Sequence, residues 1–251
     1  MKRWFKGLVM SFSMFSILPM PRKIWEESAA NLLIPFYPLV GLAFGGIWYG
    51  CSILFSYMEV PIALKTVILM ILPALLSGFL HMDGYMDTMD AIHSRRSMEE
   101  KKRILKDSHV GAFAVIYFGL WLFLSYAAVY SIVEGEKNTI AFLWIPFLSR
   151  AITGFFVLTE KPMWENGYLL LYRKEAKKIH KILPVFYIGV ISLGLLLGGV
   201  QKMWFIFFAL IGTAIVSEKY LIQQFDGISG DLSGCILTLS ELGALLVFAL
   251  I

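Results

Sequence analysis

Val110–Val133 reads VGAFAVIYFGLWLFLSYAAVYSIV, 24 residues without one charged side chain. A helix rising ~1.5 Å per residue needs about 20 such residues to cross a hydrocarbon layer ~30 Å thick, so this stretch is of spanning length. Further apolar runs flank it, over roughly 32–57, 62–80, 139–158, 183–200, 203–217 and 233–251. The run at 203–217 is short and extends into the segment after it. Trp4–Leu18 is shorter than a span and stops at Leu18-Pro19-Met20-Pro21, with no small-residue cleavage site before the prolines. It reads as an interfacial or re-entrant helix rather than a leader. The expectation is an all-α, polytopic integral membrane bundle of about seven spans forming one domain over 1–251.

Composition leads to the same class. Of the 251 residues 58% are hydrophobic and only 16% charged, with mean hydropathy +0.72. Soluble domains carry roughly 25% charged residues, so much of this surface faces lipid. Cys51 and Cys235 both lie in apolar runs away from other metal-ligating residues, and read as packing residues. A net charge of +4 does not indicate a nucleic-acid partner.

Lys and Arg are unevenly placed. The N-terminal region carries Lys2, Arg3, Lys6, Arg22 and Lys23; the 91–109 loop carries Arg95, Arg96, Lys101, Lys102, Arg103 and Lys106. The 159–181 loop carries Lys161, Arg173, Lys174, Lys177, Lys178 and Lys181, whereas the alternate loops hold only Lys65, Lys137 and Lys202. Cytoplasmic loops retain positive charge, so alternation places every basic loop in the cytoplasm of a multi-pass protein of the cell membrane.

The polar stretch after the second run is His81-Met82-Asp83-Gly84-Tyr85-Met86-Asp87-Thr88-Met89-Asp90. Asp83, Asp87 and Asp90 recur at i, i+4, i+7, one face of a helix. Carboxylates gathered beside a membrane repel one another, and a divalent cation with a taste for hard oxygen ligands (Mg²⁺, Mn²⁺ or Ca²⁺) removes the repulsion. A solvated acidic helix end is the plainer alternative. Asp90 reads as either ligand or base. Asp107, in Lys106-Asp107-Ser108-His109, precedes the next run and reads equally as a ligand at the same depth or as a helix N-cap.

Three more features stand out. Asp226-Gly227-Ile228-Ser229-Gly230-Asp231 is either a backbone cradle for a phosphate or a plain inter-helix turn. Arg150 and Glu241 are ionisable residues inside apolar runs, where each needs a partner or a function. Arg150 reads as the partner of an acid or as a phosphate clamp. His93 and His180 read as loop residues. An acidic, divalent-metal face among basic loops suits phosphoryl transfer. No P-loop and no Ser/His/Asp arrangement appears, which argues against ATP hydrolysis and acyl transfer. Acids confined to one side of the membrane also argue against a divalent-cation transporter.

These motifs together resemble one family. The stretch Gly78 to Asp90, the stretch Ile104 to Phe113, Ser149-Arg150-Ala151, and Gly230-Asp231-Leu232-Ser233-Gly234 with Glu241 are similar to the signature of the cobalamin synthases, the adenosylcobinamide-GDP ribazoletransferases. Leu18-Pro19-Met20-Pro21 and Phe36-Tyr37-Pro38-Leu39-Val40-Gly41 also fit. A CDP-alcohol phosphotransferase would order its paired acids differently. Ala91 stands where the family often has Gly, and Ser16-Ile17 and Asp226–Gly230 also depart from its pattern.

The resemblance implies that α-ribazole, or its 5′-phosphate, attacks the cobinamide-linked phosphorus of adenosylcobinamide-GDP and that GMP leaves, with Mg²⁺ required and Mn²⁺ as a substitute. It makes Asp83, Asp87, Asp90 and Asp107 candidate metal ligands, with Asp87 and Asp90 as catalytic candidates; the family pattern does not say which carboxylate is the base, and Asp90 is the one taken here. His81, Ser108, Arg150, Gly230 and Asp231 become candidate substrate contacts. The lipid bilayer is the other partner, and the oligomeric state is left open.

Overall fold

The computed structural model describes residues 2–20, 25–165, 168–173, 178–197 and 201–251. Pro21, Arg22, Lys23, Lys174 and Lys177, counted above in basic or proline-containing segments, lie outside the described residues. The helices are α1 (Arg3–Phe15), a 3₁₀ turn (Glu27–Leu32), α2 (Leu33–Tyr57), α3 (Ile62–Leu76), α4 (Leu80–His93) and α5 (Met98–Ile104). They continue as α6 (Ala112–Glu134), α7 (Ala141–Thr159), α8 (Tyr168–Arg173), α9 (Lys178–Leu197), α10 (Gln201–Phe225) and α11 (Gly230–Leu250). Among the described residues there is no strand, only an isolated backbone bridge between Pro162 and Ile228.

The chain is an all-α bundle of the membrane class. Five helices are long and apolar enough to cross a bilayer, and a sixth span is reached if the bent pair α3–α4 counts as one. The expected span over 183–200 corresponds to α9 and runs into residues 198–200, outside the described set. The short run at 203–217 does extend, into the 25 residues of α10.

One expectation needs correction. The run 62–80 is not one helix: α3 stops at Leu76 after 15 residues, about 22 Å at ~1.5 Å per residue, and α4 leaves at 90° to it. The break has a physical basis in its caps. Gly78 takes the left-handed conformation (φ 63°), the Gly78 N–H bonds the Leu75 carbonyl at 2.9 Å, and the Phe79 N–H bonds that of Ala74 at 2.9 Å. This is a Schellman closure. The Leu76 carbonyl, next in line, accepts the Ile17 N–H at 2.9 Å. An interrupted helix is tolerated at membrane depth when its freed backbone groups are paired by protein, and here they are. Phe79 is also left-handed (φ 61°), a strained state for a residue with a Cβ.

The N-terminal segment forms a helix too short to span. Thirteen residues span only ~20 Å, and α1 lays Gly7, Met10 and Phe15 against the bundle while Trp4 and Phe5 stay exposed.

The centre of the bundle is α2 against α7. A Cβ at Gly41 would stand 2.1 Å from the Pro146 carbonyl oxygen, and one at Gly45 2.1 Å from that of Leu143. Small residues four apart let two membrane helices touch backbone to backbone, and Trp48 stacks on Phe142 one turn on, at 4.2 Å. Gly45→Ala is therefore expected to force these helices apart at a cost of about 1–3 kcal/mol, read as a lower melting temperature in detergent.

Loops of like composition share an end. Lys137 Nζ donates to the Phe248 and Ala249 carbonyls, and Lys202 to that of Ile251, so the lysine-poor loops sit with the C-terminus. At the other end Lys101 reaches Gln224, Lys161 pairs with Asp226 at 2.7 Å, and Lys106 lies 3.7 Å over the Trp164 ring.

Candidate active site

The acids of α4 lie at the basic end. One face of this helix carries Gly84, Tyr85, Thr88, Ala91 and Ile92, all buried; Asp83 is exposed and Asp87 and Asp90 half-buried. Small residues on the inner face allow close seating. A Cβ at Gly84 would meet the Asp231 Cα at 2.7 Å and one at Gly234 the His81 carbonyl oxygen at 3.1 Å, so α4 lies directly on the first turns of α11. Tyr85 Oη donates to the Tyr117 carbonyl at 3.1 Å, tying the same face to α6.

This seating brings in Asp231. The carboxylates of Asp83, Asp231 and Asp90 all act electrostatically on that of Asp87, and Asp83 also acts on Asp231. Among the described residues none of these four acids has a salt-bridge partner. Ser229 caps α11, its Oγ accepting the Leu232 N–H at 3.2 Å, and Asp231 in the first turn also suits the positive end of that helix. Gly230 faces open space.

Asp107 is placed differently. It is exposed; its Oδ1 accepts the His109 N–H at 3.0 Å and pairs with Nδ1 of the same ring at 2.6 Å. These bonds hold the Asp107 carboxyl below the usual range, and none of the other site acids is among the groups that act on it. It does not cap α6, whose N-cap is Gly111. Ser108 is exposed beside it. The residue of this loop that meets the acidic face is Gly111: a Cβ there would fall 2.0 Å from Asp90 Oδ1 and 2.1 Å from Oδ2. Gly111→Ala is therefore expected to rotate the Asp90 carboxylate away. Turnover should fall about 100-fold, the scale of a 1 Å misplacement, while the melting temperature stays near wild type because only a side-chain tip has to move.

His81 and Arg150 are inside the protein. The His81 ring nitrogen Nε2 and Tyr37 Oη are 2.8 Å apart, and Thr238 Oγ1 donates to the His81 carbonyl at 3.3 Å. Arg150, 1% exposed, donates from NH1 to Glu241 Oε1 at 3.0 Å and to the Pro146 carbonyl at 3.0 Å. Its guanidinium carbon lies 4.7 Å from the centre of the Phe44 ring. Ser149 Oγ donates to the same Glu241 oxygen at 2.7 Å. Of the two readings of Arg150, pairing with an acid is the one realised. His93 and His180 are not loop residues: His93 ends α4, stacked on Tyr117 at 4.0 Å, and His180 is buried in α9.

Hard, anionic oxygens from α4 and α11 are the donor set a Mg²⁺-sized ion takes. Among the described residues no three His, Cys, Asp or Glu side chains close round a common point.

A family model described as cobalamin-5-phosphate synthase matches residues 7–249. The chain belongs to that family. A Clostridium botulinum protein named adenosylcobinamide-GDP ribazoletransferase is 37% identical over 244 residues, 96% of each chain. Proteins of the same name from Clostridium perfringens and Lachnoclostridium phytofermentans are 32% identical over 100% of both chains and 35% identical over 96% of this chain and 92% of theirs. No solved structure matches. Within the chain, Tyr37 is the partner of His81 that sequence reasoning left without a role. It stood inside the family-like stretch Phe36–Gly41, and a tyrosine in an apolar run needs a hydroxyl partner.

Proposed function

We propose that this chain joins adenosylcobinamide-GDP to α-ribazole, or to α-ribazole 5′-phosphate, and releases GMP, with Mg²⁺ at the acidic face. The observation that carries the reading is four carboxylates on α4 and α11 without a cationic partner among the described residues, in a chain related over nearly its whole length to ribazoletransferases. A phosphodiester forms when the ribazole hydroxyl oxygen bonds to the cobinamide-linked phosphorus. The bond from that phosphorus to the GMP oxygen breaks, and the hydroxyl proton passes to a carboxylate. Asp90, fixed against Gly111, is the base in this reading. Asp83, Asp87 and Asp231 would hold the metal, which would neutralise charge on the diphosphate. Asp107 takes a supporting place, its carboxylate kept ionised by His109. Arg95, Arg96, Lys102 and Arg103, at the same end, attract the polyanionic donor. The positive-inside rule puts this end in the cytoplasm of the cell membrane.

The test is the purified chain in liposomes with adenosylcobinamide-GDP, α-ribazole and Mg²⁺. Mass spectrometry should detect the cobamide and GMP in equal amounts, and a chelator should abolish both. Folded protein that leaves both substrates intact would overturn the assignment.

A further inference from the structure

Beneath the first turn of α4 is a cavity of about 40 Å³, walled by α2, α3, α4, α6, α7 and α11. Its lining is mixed. Trp48, Met82 and Trp121 supply apolar surface, and Ser125, Arg150 and Glu241 supply polar groups. Five buried side-chain polar atoms have no hydrogen-bond partner among the described residues, and three of them belong to residues lining this one cavity: Trp48 Nε1, Ser125 Oγ and Arg150 Nε. Their residues are at most 1% exposed.

The chemistry of these atoms selects the ligand. An indole N–H and a guanidinium Nε–H can only donate, so the occupant must accept. A small anion would accept, but Arg150 is already neutralised by Glu241 at 3.0 Å, and a further charge would be buried without a counter-charge. A cation is opposed by the guanidinium. Water accepts and donates without charge, and at ~10–15 Å³ per molecule the volume has room for roughly three. Polar cavities of this size hold water, whereas dry ones are apolar.

We propose that this cavity is a buried water site which, with Arg150, Glu241 and Ser125 as positioning residues, couples the α7–α11 ion pair to α4 and so fixes the acidic face. The coupling has a short path. His81 and Met82, which open α4, line the cavity; His81 is tied to Tyr37 on α2 and to Thr238 on α11, and Asp83 follows directly. The water site is independent of the transferase reading, while the positioning role rests on it.

Radiolytic footprinting of the whole protein in liposomes tests the site without turnover. Bound water split by a short X-ray pulse oxidises the side chains it touches. Trp48, 1% exposed and on the cavity, should be oxidised far more than Met10, 2% exposed and away from it. Equal, background oxidation of the two would overturn the water site. Ser125→Leu, which fills the space, should lose the Trp48 signal. It should also lower kcat about tenfold, the scale on which supporting groups act, with KM for both substrates and the melting temperature little changed. Phe123→Leu, lipid-facing on the same helix, should change none of these. If Ser125→Leu does not fold, Ser125→Val replaces it. A lost signal with kcat intact would overturn the positioning role. Wild-type protein that is labelled at Trp48 but makes no cobamide would instead sink the transferase reading.

Discussion

Asn in place of Asp87 is expected to cut cobamide formation about 10³-fold, within the range for a single acid–base or charge-stabilising group, while leaving the fold as stable as before or more so. The opposite signs have one cause. Asp87 is the carboxylate on which Asp83, Asp231 and Asp90 all act. A neutral isostere removes a charge that burial first, and the neighbouring carboxylates second, disfavour, so folding loses a penalty. Metal binding loses a ligand at the same stroke. Mg²⁺ should raise the melting temperature of the wild type, since an ion that binds only the folded chain at ~100 times its Kd adds about 2.7 kcal/mol. In Asp87→Asn that increment should shrink sharply. Turnover and melting, each with and without Mg²⁺, give the four numbers needed. An Asp87→Asn variant that is destabilised and equally protected by Mg²⁺ would show Asp87 to be a structural residue.

How much of this was legible in the sequence follows from what kind of rule each element obeys. Spans are read from length and polarity because the bilayer imposes both, and the 24 uncharged residues of 110–133 cover nearly all of α6. The acidic face is read from periodicity, and Asp83, Asp87 and Asp90 do share a helix. Arg150 and Glu241 are read from cost: a charge inside an apolar run needs a partner, and these two found each other 91 residues apart. The break at Ser77–Phe79 obeys a weaker rule: Gly78 can stop a helix, but a run of spanning length outweighs one glycine. The run 62–80 carries one charged residue, Lys65 near its start, and is otherwise mostly apolar up to the break, and the left-handed pair there includes Phe79, which residue type argues against. The surroundings of Asp107 were hidden for a similar reason. Sequence order sets it before α6, but the path of the seven-residue connection 105–111 decides what it faces, and that path presents Gly111 to Asp90 instead. The Tyr37–His81 bond joins residues 44 apart on helices that meet only through tertiary packing.

Arg150→Met is expected to destabilise the protein by about 3–5 kcal/mol, the cost of leaving one member of a buried ion pair alone. The Arg150 side chain is 1% exposed and that of Glu241 15%. Without the guanidinium, Glu241 keeps only the Ser149 hydroxyl at 2.7 Å and loses its counter-charge among apolar helices. Methionine fills comparable volume, so lost packing is a minor part of the effect, although the face over Phe44 is also given up. The double variant Arg150→Met/Glu241→Met removes both charges and should recover most of the lost stability, because a buried pair replaced by apolar side chains is often neutral. Melting temperatures of the single and double variants in detergent measure the two effects. The double variant should nevertheless turn over slowly. Its stability is restored by deleting the polar group that lines the space under His81, and with it the link between α7, α11 and the helix that carries the acids. A double variant that is both stable and fully active would mean that Arg150 and Glu241 serve only each other.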